Sequence, residues 1–205
     1  MTSNGSNILP KLNGFVLAGG KSVRMGYDKS TIQWHGKEQR YYMADLLQSV
    51  CADVYISCRN EQQDEIDPAY KTLADTYTGL GPYGAILSAL KAQPDKAWLV
   101  IACDLPLLDL ATLKYLIQNR DVGMLATTFE SPFDGLPEPL ITIWEPASFP
   151  VLLSRLSEGI SCPRKTLIRN KELVKILKAS NPDALINANT PEDAQKVKEI
   201  IGVNP

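Results

Sequence analysis

The run Ala97-Trp-Leu-Val-Ile-Ala-Cys103 constrains the fold of this 205-residue chain more than any other stretch. It is apolar without polar alternation, which suits a strand covered on both faces, the situation of strands in helix-flanked parallel sheets. The rest of the chain alternates to match. Gly14 to Ala18 reads as a first buried strand. Glu38 to Val50 sets Tyr42, Leu46, Leu47 and Val50 at helical spacing, and Asp53 to Cys58 reads as a second strand. Lys71 to Ala74 is a weaker strand, Tyr83 to Ala92 and Asp109 to Asn119 are helical, and Val122 to Phe129 and Leu140 to Trp144 are strand-like, the latter after a turn-rich Ser131 to Pro139. A helix opened by proline spans Pro146 to Leu156 and a short one lies near Pro163 to Ile168. Apolar pieces at Leu173 to Leu177 and Ala184 to Ile186 precede a final helix, which Thr190 caps, Pro191 opens, and Glu192 and Asp193 favour through its dipole. The expected fold is one α/β domain over residues 14–205, behind a loose polar leader 1–13, with a mostly parallel sheet whose ligands gather at the strands' carboxyl ends.

Charge narrows the function. With 21 basic and 23 acidic residues the net charge is -2, which gives no support to a nucleic-acid surface. The four cysteines, Cys51, Cys58, Cys103 and Cys162, form no C-x-x-C pair, and His35 is the only histidine, so neither a structural zinc site nor a disulfide framework is expected. A reducing cytoplasm is the expected setting. No stretch approaches the roughly 18 to 20 apolar residues of a membrane span, and residues 1–14 lack the apolar core of a signal peptide.

The first strand runs directly into Gly19-Gly20-Lys21-Ser22-Val23-Arg24-Met25-Gly26, with Asp28 and Lys29 close behind. Glycines let backbone N–H groups approach phosphate oxygens, and Lys21, Arg24 and Lys29 can offset triphosphate charge. The competing reading is a tight turn with solvated cations. Two better-known phosphate motifs fail here. Gly20-Lys21-Ser22 resembles the end of a P-loop, but Phe15 stands where the earlier glycine is needed. Gly79 to Gly84 satisfies G-x-G-x-x-G, yet Asp75 to Thr78 is no apolar strand and Pro82 removes a backbone donor from the turn.

The segment Leu17 to Lys29, LAGGKSVRMGYDK, resembles the nucleotidyltransferases of molybdenum cofactor biosynthesis, and the molybdenum cofactor guanylyltransferases in particular. Asp75 with Gly81-Pro82, then Ile101 to Pro106, then Asn187 to Asp193 follow in that family's order, so the resemblance covers roughly residues 13 to 200. It implies a Rossmann-like three-layer sandwich of the nucleotide-diphospho-sugar transferase type. It also implies a cytoplasmic enzyme that joins the guanylyl part of GTP to molybdopterin with release of pyrophosphate, using Mg2+ as cofactor. Leu17, Ala18, Gly19 and Gly20 would line the nucleotide, Arg24 and Lys29 would face its phosphates, and Asp75 would help recognise guanine. Asp104, ending the strongest strand, would hold the metal; capping the next turn is its other reading. Asn187 and Asn189, on one side of an extended segment, would engage the pterin acceptor, with local turn and cap bonding as the alternative.

The chain departs from the family in places. Ser57 stands where the enterobacterial form has an asparagine contacting the nucleotide, with Arg59 close enough to compensate, and Tyr83 replaces a small aliphatic residue beside Gly81-Pro82. The attacking group would be a phosphate already ionised near neutral pH, so no catalytic histidine is required, and His35 reads as part of a surface turn. Two alternatives remain: cytidylyl or other nucleotidyl transfer to the same cofactor or to a sugar or alditol phosphate, and a cofactor-binding protein without turnover. A molybdenum insertion or delivery protein is the expected partner, with no nucleic acid and no membrane.

Overall fold

A computed structural model of the protein describes residues 11–18 and 29–202. Its centre is a seven-stranded sheet in the order β3-β2-β1-β4-β6-β5-β7. The strands are β1 (Leu12–Leu17), β2 (Val54–Cys58), β3 (Lys71–Ala74), β4 (Ala97–Ala102), β5 (Ala126–Glu130), β6 (Pro137–Trp144) and β7 (Val174–Leu177). Helices α1 (Gln39–Gln48), α2 (Pro82–Ala92), α3 (Leu110–Gln118), α4 (Ser148–Ser157), α5 (Pro163–Arg169) and α6 (Pro191–Ile201) make the connections. The pairs β1–β2, β2–β3, β1–β4 and β5–β7 are parallel; β6 lies antiparallel between β4 and β5. A mostly parallel α/β sheet is therefore present, with one reversed strand that hydropathy alone does not reveal.

β4 behaves as its composition requires. All of its residues are buried, with Leu99 and Ile101 packing on one face beside Met43, Leu47 and Leu113, and Trp98 and Val100 on the other beside Phe15, Ile86 and Leu152. Two apolar layers, one per face, make the three-layer sandwich. β1 starts at Leu12, earlier than the apolar run suggests, because Leu12 and Asn13 continue the ladder opposite Ala97 and Trp98. Residues 122–125 form a turn, so β5 starts only at Ala126. The apolar piece at 173–177 is a true strand on the sheet edge, while that at 184–186 sits at the end of a 3-10 turn, Pro182–Leu185.

The start of α6 follows the side chains expected, whereas α4 begins at Ser148, two residues after the expected Pro146. Thr190 accepts from the Asp193 amide, and the Asp193 carboxylate accepts from the Thr190 and Asn189 amides, a reciprocal cap for α6. Asp109 accepts from the Thr112 amide at the start of α3. Among the described residues no helix is long and apolar enough to cross a membrane.

Candidate nucleotide and acceptor site

The carboxyl ends of β1, β2 and β3 surround a cleft of about 300 Å³ lined by Leu17, Ser57, Arg59, Asp75, Gly81 and Pro82 among others. Strand register explains the grouping. Leu17 pairs with Ser57, Ser57 pairs with Leu73, and the Asp75 amide donates to the Cys58 carbonyl, extending the ladder one step past β3. Chain separations of tens of residues thus collapse onto one rim.

Asp75 is held firmly. The next two amides, Thr76 and Tyr77, donate to the Ser88 hydroxyl of α2, which in turn donates to the Gly84 carbonyl. A Cβ at Gly84 would lie 2.0 Å from the Tyr77 carbonyl oxygen, so this approach of loop to helix requires glycine. Gly81 precedes α2 at φ 55° and ψ -138°, a conformation open chiefly to glycine, and turns the chain at the cleft wall. The Ser57 hydroxyl donates to the Asp75 carboxylate at 3.1 Å. Burial pushes that carboxyl up to about 6, and the Ser57 hydrogen bond only partly offsets this. Near neutral pH the group is mainly an ionised acceptor facing the cleft.

Asp104 follows β4, the strand beside β1, and its carbonyl accepts from the Ala188 amide at 2.8 Å. This bond brings the segment Asn187 to Asn189 against the end of β4. Ala188 is buried, whereas Asn187 is partly exposed and Asn189 exposed, so the two asparagines lie on the side away from the core. Charge accumulates on the far side of Asp104 as well. Glu138 of β6 is buried and receives Arg164 of α5 at 2.8 Å, and Arg164 also reaches Asp134 at 2.8 Å. Burial raises the Glu138 carboxyl, Arg164 lowers it, and the Asp104 charge raises it further. The sequence signals no role for this cluster, because a buried Glu beside Pro139 carries no local trace of its neighbours.

The expected site residues are therefore grouped in two. Leu17, Ser57 and Asp75 share the cleft, with partly buried Ala18 following Leu17. Asp104, Asn187 and Asn189 gather next to it along the same sheet edge. Gly19, Gly20 and Arg24 lie outside the described residues; Lys29 opens a 3-10 turn, Lys29–Thr31, and its side chain lies outside them too. Arg59 lines the cleft with its side chain turned to Gln62, at 3.1 Å, and to Glu61. Tyr83, the departure beside Gly81-Pro82, is fully buried, its hydroxyl donating to the Leu152 carbonyl at 2.8 Å, so it packs in the core and does not line the cleft. His35 lies in a turn, as expected, and its ring is partly buried, hydrogen bonded and stacked.

The second group offers one carboxylate, Asp104, to a divalent cation. Among the described residues no cluster of three or more His, Cys, Asp or Glu gathers. A cation there would rely on Asp104, amide oxygens and the substrate's own phosphates, which is the donor set magnesium prefers.

Known proteins match this architecture. Residues 14–181 match the MobA-like NTP transferase domain. The chain is 35% identical over 183 residues to a molybdenum cofactor biosynthesis bifunctional protein of Synechocystis, covering 89% of this chain and 52% of that protein. This chain thus spans about half the length of that relative. It is 30% identical to a molybdenum cofactor guanylyltransferase of Pseudomonas fluorescens, covering 94% of this chain and 95% of the relative. The fold superposes with a TM-score of 0.77 on molybdopterin-guanine dinucleotide biosynthesis protein A of Archaeoglobus fulgidus, at 22% identity, covering 93% of this chain and 98% of the other. With the profile match spanning most of its length, this chain belongs to the MobA-like NTP transferase family.

Proposed function

We propose that this protein transfers the guanylyl group of GTP to molybdopterin and releases pyrophosphate. The observation that carries the reading is the division of one sheet edge. The Ser57–Asp75 cleft lies at the ends of β1 to β3, and Asp104 with the Asn187–Asn189 segment lies at the end of adjoining β4. A transferase of this kind needs a nucleotide seat and an acceptor seat on either side of the α-phosphorus. The name of a relative, molybdenum cofactor guanylyltransferase, supports a guanylyl donor and the molybdenum cofactor as acceptor.

In this reading a phosphate oxygen of molybdopterin attacks the α-phosphorus of GTP in line. A new P–O bond forms, the bond from the α-phosphorus to the bridging oxygen breaks, and pyrophosphate leaves with that electron pair. The nucleophile is ionised already, so the protein supplies position and charge rather than a base. The Asp75 carboxylate accepts hydrogen bonds from the N–H edge of guanine, Arg24 and Lys29 meet the phosphates, and Asn187 and Asn189 orient the pterin. Magnesium bound at Asp104 would neutralise charge on the phosphate oxygens.

The test is to incubate the protein with magnesium, molybdenum-loaded molybdopterin and each of the four nucleoside triphosphates, and to measure pyrophosphate. Release with GTP is expected; release with CTP alone would replace guanylyl by cytidylyl transfer. Asp104→Ala is expected to lower turnover at least about a hundredfold with unfolding midpoint retained. Full activity in that variant would remove Asp104 from the site.

A further inference from the structure

His35 lies outside the two groups above, yet it touches both of the chain segments that flank them. Its ring stacks on Tyr42 of α1 at 4.0 Å with an 18° interplanar angle. Its Nε2 is 2.8 Å from the Pro106 carbonyl oxygen. A carbonyl only accepts, so Nε2 carries the proton and donates. Pro106 is two residues beyond Asp104, and the intervening Leu105 accepts from the Leu108 amide, making 105–108 a tight turn. Asp109, just past that turn, lies near enough to Tyr42 for its charge to add to burial in raising the Tyr42 phenol.

Trp34, next to His35, is buried in a small apolar cluster with Ala188 and Val197, against which Ile32 and Leu107 pack. That cluster joins three segments: 32–34, which leaves the Lys29–Thr31 turn; 104–107, which carries Asp104; and 187–189, whose Ala188 amide donates to the Asp104 carbonyl. Apolar packing holds such segments together without fixing their register, because it is non-directional. The Ala188 amide bond orients segment 187–189 on Asp104, and the His35 bond supplies direction between segment 32–35 and the turn after Asp104. Its partner Pro106 is a buried residue and the bond is part-buried, so losing the donor removes a partner from a carbonyl with restricted access to water.

We propose that His35 is a positioning residue for the transfer reaction: its Nε2–H···O bond to Pro106, braced by Tyr42, fixes the Asp104 turn against the segment leaving the glycine-rich loop. The proposal rests on the guanylyl-transfer reading for its kinetic consequence, and on geometry alone for its mechanical one. It acts through Asp104, so it changes the alignment of the reacting phosphates more than the grip on the nucleotide.

Two substitutions separate the bond from the stack. His35→Gln keeps an N–H donor at nearly the reach of Nε2 and loses the ring; His35→Phe keeps the ring on Tyr42 and loses the donor. Backbone hydrogen exchange at Asp104, Leu105, Leu107 and Leu108 is measured for both and for the unmodified chain, alongside pyrophosphate release at varied GTP. For His35→Phe we expect faster exchange in that turn and kcat down about tenfold, with KM for GTP within about twofold. His35→Gln is expected to restore both. Equal behaviour of the two variants, or unaltered exchange in His35→Phe, overturns the proposal. If the unmodified protein releases no pyrophosphate from GTP, the functional reading falls; the exchange comparison still decides whether His35 holds the turn.

Discussion

Asp75 and Glu145 are both acids withdrawn from water at the margin of the same sheet, and their surroundings give them opposite roles. Glu145, just past β6, is 1% exposed and takes two bonds from Arg120, at 2.6 and 2.8 Å. A fork of this geometry satisfies both oxygens and closes the region around β5 and β6. Asp75 receives the Ser57 hydroxyl, a neutral donor, and faces a cleft. Its raised carboxyl, at about 6, records burial that its described neighbours do not match with positive charge. Burial alone therefore does not separate a carboxylate closed off by an arginine from one that lines a cleft; the partner set does.

Arg120→Ala tests the closed half and should produce the largest effect. It strands the Glu145 charge, and a loss of about 3–5 kcal/mol in urea unfolding is expected, with KM for GTP of the folded fraction unchanged. A shift in that KM instead would break the contrast, because it would tie the β5–β6 side to the nucleotide.

Asp75→Asn tests the open half. Stability should hold or rise, since the folded state no longer confines a charge that burial disfavours, while KM for GTP rises about tenfold. The pH dependence follows from the sign of the shift. A carboxyl raised in the folded state binds its proton more tightly there than in the unfolded chain, so stability declines as pH rises from about 4 towards about 6. Nucleotide recognition runs the other way: protonation removes the acceptor, so KM for GTP should climb as pH falls through about 6, a step absent from Asp75→Asn.

Ser57→Ala is the finest probe. It deletes the hydrogen bond that holds the Asp75 carboxyl down, so the midpoint of that KM profile should move to higher pH, with a stability change of about 1 kcal/mol or less. An unmoved midpoint would show that Ser57 does not tune Asp75.

Much of the fold is legible in the order of residues. The uninterrupted apolar run at Ala97 to Cys103 requires a strand covered on both faces, and both faces are covered. Thr190-Pro191-Glu192-Asp193 spells out a helix start that the reciprocal cap realises. The reversal of β6 is not legible: Leu140 to Trp144 is as apolar as a parallel central strand, and direction leaves no trace in hydropathy. The candidate site is legible only as separate pieces. Resemblance to a family names Asp75 and Ser57, but it does not disclose their contact.

The elements, their caps and the residue types available for phosphate and metal chemistry are written in the chain, because they depend on local periodicity and on side chains a few positions apart. Which pieces meet is settled only by the folded whole. Strand register sets Leu17 beside Ser57 and Ser57 beside Asp75. The Ala188 bond brings the asparagine segment to Asp104, and the His35 bond reaches Pro106 across 71 positions. Such contacts form when two hydrophobic layers close on a twisted sheet, and their partners are distant in the chain. No local pattern records them, and they distinguish the acid that seals this fold from the acid that faces its cleft.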